Sequence, residues 1–212
     1  MSRSKPAPSR EQLLKVATRM FATSGFSRTT LRAIADEAGV NQGMIHYYWR
    51  TKIALYEEVY SRVFEDFGKM VDESFSGTQV LDLQSSSEKE KMVKIIVEEA
   101  FRLIERQPFI AIIIARHMMG DVPGTEHLTE KYARPLFKRG ALILGDYMKK
   151  GIIKQQNIRL SIASFCFIFM GYRMGGDTYL FPQEKLTDSP ASRRKLAVHI
   201  EELLFSAMFS EF

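Results

Sequence analysis

An all-helical chain is the fold that three features of this sequence predict. Apolar residues recur at the 3.6-residue period of a helix along nearly the whole length. Strand-like alternation never lasts more than a few residues, and capping residues stand where the apolar stripes begin and end. The chain has 212 residues, 45% of them hydrophobic, enough for one or two domains with real cores.

The first helix is expected to start at Ser9, because Gln12 three residues on completes a capping box. Leu13, Leu14, Ala17, Met20 and Phe21 form its apolar stripe, and Gly25 supplies a left-handed stop. Thr29 or Thr30 caps a second helix with Leu31, Ile34, Ala35 and Ala38 inward, closed by Gly39. Asn41 caps a short third helix that carries Ile45 and Trp49 at i, i+4. A long fourth helix follows, from about Thr51 to Phe75. Its Leu55, Val59, Val63, Phe67, Val71 and Phe75 recur every four residues, with Tyr56, Tyr60 and Phe64 beside them. So broad an apolar face needs cover from both the N-terminal helices and the body that follows.

Gly77 to Ser87 reads as a polar loop. Helices are expected at about 88–106, ended by Pro108, and at 109–119. The turn Gly120-Asp121-Val122-Pro123-Gly124 precedes a helix running to about Lys150, in which Pro135 predicts a kink or a restart. Asn157 caps an apolar helix to about Met174, and a loop from Gly175 to Pro190 leads to the last helix at about 191–210.

Charge is distributed unevenly. Residues 1–52 hold nine Lys/Arg against three Asp/Glu, an excess of six positive charges, whereas the remaining 160 residues are near neutral. A polyanion-binding N-terminal module on a neutral body accounts for this, as does a basic surface kept for solubility. Within the module, Thr29–Lys52 packs two short helices around Ala38-Gly39-Val40-Asn41, the helix-turn-helix layout. With Ile45 and Trp49 facing the core, Gln42, Gly43, His46 and Tyr47 fall on the other side. Gly43 lets the backbone approach a partner closely. Gln42 matches adenine bidentately, and the Tyr47 ring offers an edge for a thymine methyl. Arg32 reaches a guanine edge or a phosphate. Thr29, Thr30, Tyr48 and Lys52 suit phosphate contacts, Lys52 with the help of the free N–H groups that open the fourth helix. Arg28 and Met44 complete the candidate set, and double-stranded DNA is the expected partner.

These segments resemble the tetracycline-repressor (TetR) family of bacterial transcription regulators. The resemblance rests on Phe21-Ala22-Thr23-Ser24-Gly25-Phe26, Thr29-Thr30-Leu31-Arg32-Ala33-Ile34-Ala35 and Ala38-Gly39-Val40-Asn41-Gln42-Gly43. It continues through Tyr47-Tyr48-Trp49 and Lys52-Ile53-Ala54-Leu55, covering residues 9–60 closely and the rest by length and helical layout. It implies a helix-turn-helix DNA-binding domain over residues 1–52, with a disordered basic arm at about 1–8. A long fourth helix would join this to a helical effector-binding and dimerisation body, residues 53–212. It further implies a homodimer whose third helices enter successive major grooves of a palindromic operator, released when a small effector binds the body. Repression is the default this carries; activation and a purely architectural nucleic-acid role are the alternatives. Three positions depart from the family's habit. His46 stands where tyrosine is usual, Trp49 where phenylalanine is usual, and Asn41 where serine is usual. A charged imidazole at His46 would add a phosphate contact.

In the body, Ile158 to Met174 is apolar nearly all round, and the last helix carries Leu196, Ile200, Leu203, Leu204, Met208 and Phe209. The resemblance implies that these two helices pair with their symmetry mates; a wholly intramolecular core is the other way to bury them. Phe101, Ile104, Phe109, Ile113, Phe137, Phe167, Met170 and Met174 are candidates to line an apolar effector cavity, or else plain core. Arg116, His117 and Arg173 follow apolar runs and are candidates to anchor an acidic or polar group of a hydrophobic or amphipathic effector. Ion pairs or solvated helix ends are their ordinary alternative.

An enzyme is not expected. His46, His117, His127 and His199 lack metal-ligand spacing, and no nucleophile elbow, dinucleotide fingerprint or phosphate-binding loop occurs. No catalytic residue, metal or cofactor is therefore assigned. Cys166 stands alone in an apolar stretch, which fits an inert thiol in a reducing cytoplasm. The longest apolar run, Ile162 to Tyr172, is too short for a membrane span of about 20 residues. The opening residues lack the apolar stretch of a secretory signal.

Overall fold

The computed structural model describes residues 9–76, 83, 85–175 and 189–209. The basic arm, and most of the loops expected at 77–87 and 175–190, lie outside these residues. Among the described residues there are nine α-helices and no strand. They are α1 Arg10–Ser24, α2 Leu31–Ala38, α3 Gln42–Tyr48, α4 Lys52–Ser76, α5 Ser86–Arg106, α6 Ile110–Met118, α7 Arg134–Lys149, α8 Ile158–Gly175 and α9 Pro190–Phe209.

Local chemistry explains where these helices start and stop. The capping box forms at α1: Gln12 N–H donates to Ser9 Oγ, and Ser9 N–H donates to Gln12 Oε1 at 2.7 Å. Thr30, not Thr29, caps α2, its hydroxyl oxygen accepting from Ala33 N–H at 3.0 Å. Asn41 caps α3 through Met44 N–H at 3.0 Å. Helix α5 begins earlier than expected because Ser85 accepts from Glu88 N–H and so starts the helix at Ser86. Pro135 falls in the first turn of α7, and a π-helical turn, Thr129–Ala133, stands directly before it. The proline lacks an N–H and its ring crowds the preceding turn, so the widened turn is how the expected restart is made.

The described chain forms two compact units, Met1–Phe64 with Ile112–Ala133, and Glu65–Ala111 with Arg134–Phe212. In the first, Leu13, Ala17 and Phe21 of α1, Ile34 of α2, Ile45 of α3, Leu55, Tyr56 and Val59 of α4, and Ile113 of α6 are almost wholly buried. Phe21, Phe26 and Tyr56 form an aromatic cluster with ring centroids 5.4–5.7 Å apart. Residues 53–64 and 112–133 thus share a core with the helix-turn-helix.

The second unit is built around Met92, Val93, Val97 and Phe101 of α5, Phe169 of α8, and Ala197 and Ile200 of α9. Phe101 meets Phe169 and Tyr172 edge-on at 5.3 and 5.2 Å. Gly140 and Gly145 of α7 face Ile162 and Ile158 of α8. No helix among the described residues is long and apolar enough to cross a membrane.

Candidate nucleic-acid interface

The turn between α2 and α3 is shaped by its backbone and by the apolar side chains beneath it. Gly39 takes the left-handed conformation (φ 69°) that a side chain resists, and Val40 N–H donates to Ala35 O at 2.9 Å. This turn, with Ile45 and Trp49 buried beneath, fixes which face of α3 looks outward. Gln42, Gly43, His46 and Tyr47 are exposed on that face, Tyr47 by 83%. Met44 is half-buried. Tyr48 is 37% exposed and packs between the rings of Tyr47 and Trp49. Beside α3, Arg28 is exposed while its Nε donates to Ser24 O, and Arg32 is exposed with only a loose 3.9 Å pairing to Asp36. Thr30 is exposed but its oxygen is engaged in capping. The outward set is polar, aromatic and cationic, which suits base edges flanked by phosphates.

Two candidates require correction. Thr29 is 1% exposed, and its hydroxyl donates to Gly25 O at 2.8 Å and Met20 O at 3.2 Å, so it faces inward. Lys52 is half-buried, and its ammonium donates to Phe26 O at 2.9 Å and Thr29 O at 3.0 Å, 4.1 Å from the Phe26 ring centroid. In the folded chain both side chains close the turn between α1 and α2. The carbonyls of a buried turn need donors, and these two side chains supply them.

Sequence reasoning missed the support under α3. Trp49 Nε1 donates to Glu58 Oε2 at 2.6 Å, the same carboxylate pairs with Arg10 at 2.5 Å, and the Arg10 guanidinium lies 5.4 Å from the Trp49 ring centroid. The signal was present: a buried tryptophan brings an N–H that demands an acceptor, which phenylalanine does not.

The candidate effector anchors Arg116 and His117 also call for correction. Arg116 Nε donates to Ala22 O at 2.9 Å and its Nη1 pairs with Asp121 at 3.0 Å, so both edges are engaged by protein groups. His117 Nε2 lies 3.1 Å from Thr129 Oγ1, and its ring packs on Tyr60 at 4.2 Å and near Tyr56. Both residues, with the fully buried Ile113, belong to the first unit. Of the candidates in the second unit, Phe101 is 1% exposed and packs in the core, while Phe137 and Phe167 are 38% and 58% exposed. Ile104, Phe109 and Met170 are half-buried. The side chains of Arg173 and Met174 lie outside the described set. A groove of about 570 Å³ between α5 and α9, lined in part by Lys91, Lys94, Val198, Glu201 and Phe205, contains none of the candidates. Burial pushes the Cys166 thiol up to about 11, which keeps it protonated and unreactive.

Burial between aromatic rings also holds the His117 pKa below its ordinary 6.5, against a smaller opposing pull from Glu126. The folded chain therefore binds this proton more weakly than the unfolded chain. The contribution of His117 to stability is complete above about pH 6.5 and declines as pH falls below it. The thermal midpoint is expected to drop on acidification from about pH 7 to about pH 5. His117→Phe, which keeps the ring stacking, should flatten that drop; parallel curves for the two proteins would refute the assignment.

Comparison with known proteins agrees with this geometry. Residues 13–59 match the model of bacterial regulatory proteins, tetR family. The HTH-type transcriptional repressor KstR2 of Mycolicibacterium smegmatis is 30% identical over 116 residues, covering 50% of this chain and 57% of that repressor. The chain thus spans little more than half the length of that curated relative. Among solved structures, the fatty acid degradation regulator FadR of Bacillus halodurans superposes with a TM-score of 0.66 at 19% identity, over 96% of this chain and 97% of that one. FadR of Bacillus subtilis, solved in complex with stearoyl-CoA, gives a TM-score of 0.68 at 16% identity, over 94% and 99%.

Proposed function

Because this chain belongs to the tetR family of bacterial regulatory proteins, we propose that it is a homodimeric, DNA-binding transcriptional repressor. It binds a palindromic operator with α3 of each subunit in the major groove, and a small apolar or amphipathic effector releases it. The observation that carries this reading is the outward face of α3, where Gln42, Gly43, His46 and Tyr47 are exposed beside the turn from α2, within the basic quarter of the chain. Arg28, Thr30, Arg32 and Tyr48 flank that face and take the phosphates.

Dimerisation through α8 and α9 is supported by large apolar side chains left exposed there: Leu160 by 64%, Phe167 by 58%, Leu203 by 47% and Val198 by 42%. For the effector, Ile104, Phe109 and Met170 are the candidates that remain open to a ligand in the second unit. Related folds hold chemically different small molecules: one was solved with stearoyl-CoA, and a Saccharomonospora viridis protein was solved in complex with choline.

The test is a titration of the protein against the DNA upstream of its own gene at two salt concentrations. A sequence-preferring complex that weakens steeply with salt supports the proposal, and indifference to sequence refutes it. Gln42→Ala and Tyr47→Ala should each relax base preference by about 1–3 kcal/mol, measured on duplexes differing by one base pair. An equal loss on every duplex would show that this face does not read bases.

A further inference from the structure

Gln42 and His46 stand one helical turn apart on the exposed face of α3, with Gln42 Nε2 3.2 Å from His46 Nε2. An amide NH2 group only donates, so the ring nitrogen facing it accepts, and the ring's own proton sits on Nδ1. One of the two amide N–H groups is thereby engaged. The second N–H and the Oε1 carbonyl remain, a donor beside an acceptor. That is the pattern complementary to adenine N7 and its N6 amino group in the major groove.

A glutamine at the first residue of a helix turns about three side-chain bonds, and its amide has two opposite faces to present. Without a partner, the reversed amide, with donor and acceptor exchanged, is as available as the productive one. Among the described residues, His46 is the side chain that bonds the Gln42 amide. Gly43 has no side chain, Asn41 Oδ1 is engaged by Met44 N–H, and the Tyr47 ring rests on Tyr48. The tyrosine usual at the position of His46 in the family has no ring nitrogen to accept from the amide.

We propose that His46 is a positioning residue for base readout, orienting the Gln42 amide so that the two side chains together select adenine. This rests on the reading of α3 as the helix that enters the duplex. His46 acts through Gln42, and the role differs from a phosphate contact, which would strengthen binding to every sequence alike.

The experiment uses the full chain and a pool of duplex DNA with a randomised central segment, the bound fraction being sequenced. The wild-type chain is expected to enrich a motif with an adenine that Gln42→Ala no longer selects. On matched duplexes carrying A·T or G·C at that position, the wild-type discrimination should be about fivefold to a hundredfold. His46→Phe should reduce it by at least about threefold, and His46→Gln, which keeps an acceptor one turn from Gln42, should restore most of it. In the Gln42→Ala background, His46→Phe should change nothing further in base preference. Unaltered adenine discrimination in His46→Phe, or an equal loss of affinity on both duplexes, overturns the proposal while leaving the DNA-binding reading intact. Enrichment of no motif by the wild-type chain overturns both.

Discussion

Trp49→Ala is expected to cost about 3–5 kcal/mol of stability, the upper range for a single large-to-small change. The indole is 3% exposed, and its removal opens a cavity beneath the end of α3. The same change strips Glu58 of its Trp49 N–H donor and ends the stacking of Arg10 on the ring. Trp49→Phe separates these effects. It keeps most of the apolar volume and a ring for Arg10, yet leaves Glu58 with Arg10 alone, so a loss of about 1–3 kcal/mol is expected. Urea unfolding followed by helical circular dichroism measures both variants. Equal losses for Ala and Phe would mean that the hydrogen bond, not the packing, dominates. A negligible loss for Phe would mean that Glu58 is satisfied without the indole. Because the outward face of α3 is untouched in Trp49→Phe, base preference should persist while overall duplex affinity falls.

What the sequence disclosed was largely what neighbours along the chain decide. Ser9 with Gln12 and Asn41 act within four residues of themselves and capped as the spacing predicted, while for α2 the sequence left Thr29 or Thr30 open and Thr30 forms the cap. The inward and outward faces of α3 followed from Ile45 and Trp49 by helical arithmetic alone. Residues whose partners lie far along the chain were the ones misread. Lys52 reaches back 23 and 26 residues to Thr29 and Phe26, and Arg116 reaches 94 residues to Ala22. A basic residue beside an apolar helix looks the same in sequence whether it meets a phosphate, an effector or a backbone carbonyl. Thr29 was misread for a related reason: two consecutive threonines both suit a cap, and only the turn geometry turns one hydroxyl inward. The effector candidates suffered most, because aromatic and methionine residues at helical spacing serve a core and a cavity equally well. Phe101 proved to be core, with Phe169 and Tyr172 edge-on to its ring.

Lys52→Met is expected to cost about 2–4 kcal/mol while leaving the salt dependence of duplex binding unchanged. The methionine keeps the apolar stem and removes only the ammonium. Thr29 O then loses its Lys52 donor, Phe26 O keeps only Thr29 N–H at 3.2 Å, and the Phe26 ring loses its cation. Hydrogen bonds to a charged group contribute about 1.5–3 kcal/mol each, and these share one nitrogen, so their sum is an upper bound. The outcome distinguishes two physical roles for one lysine. A phosphate-binding Lys52 would release a counterion on docking, so its loss would lower the slope of log affinity against log salt by about 0.9 and leave the melting temperature alone. A turn-closing Lys52 does the reverse: the thermal midpoint falls and the slope stays the same, because the duplex never met the ammonium. A melting curve and a salt titration on the same variant therefore decide the matter, and a reduced slope with an unchanged midpoint would return Lys52 to the DNA surface.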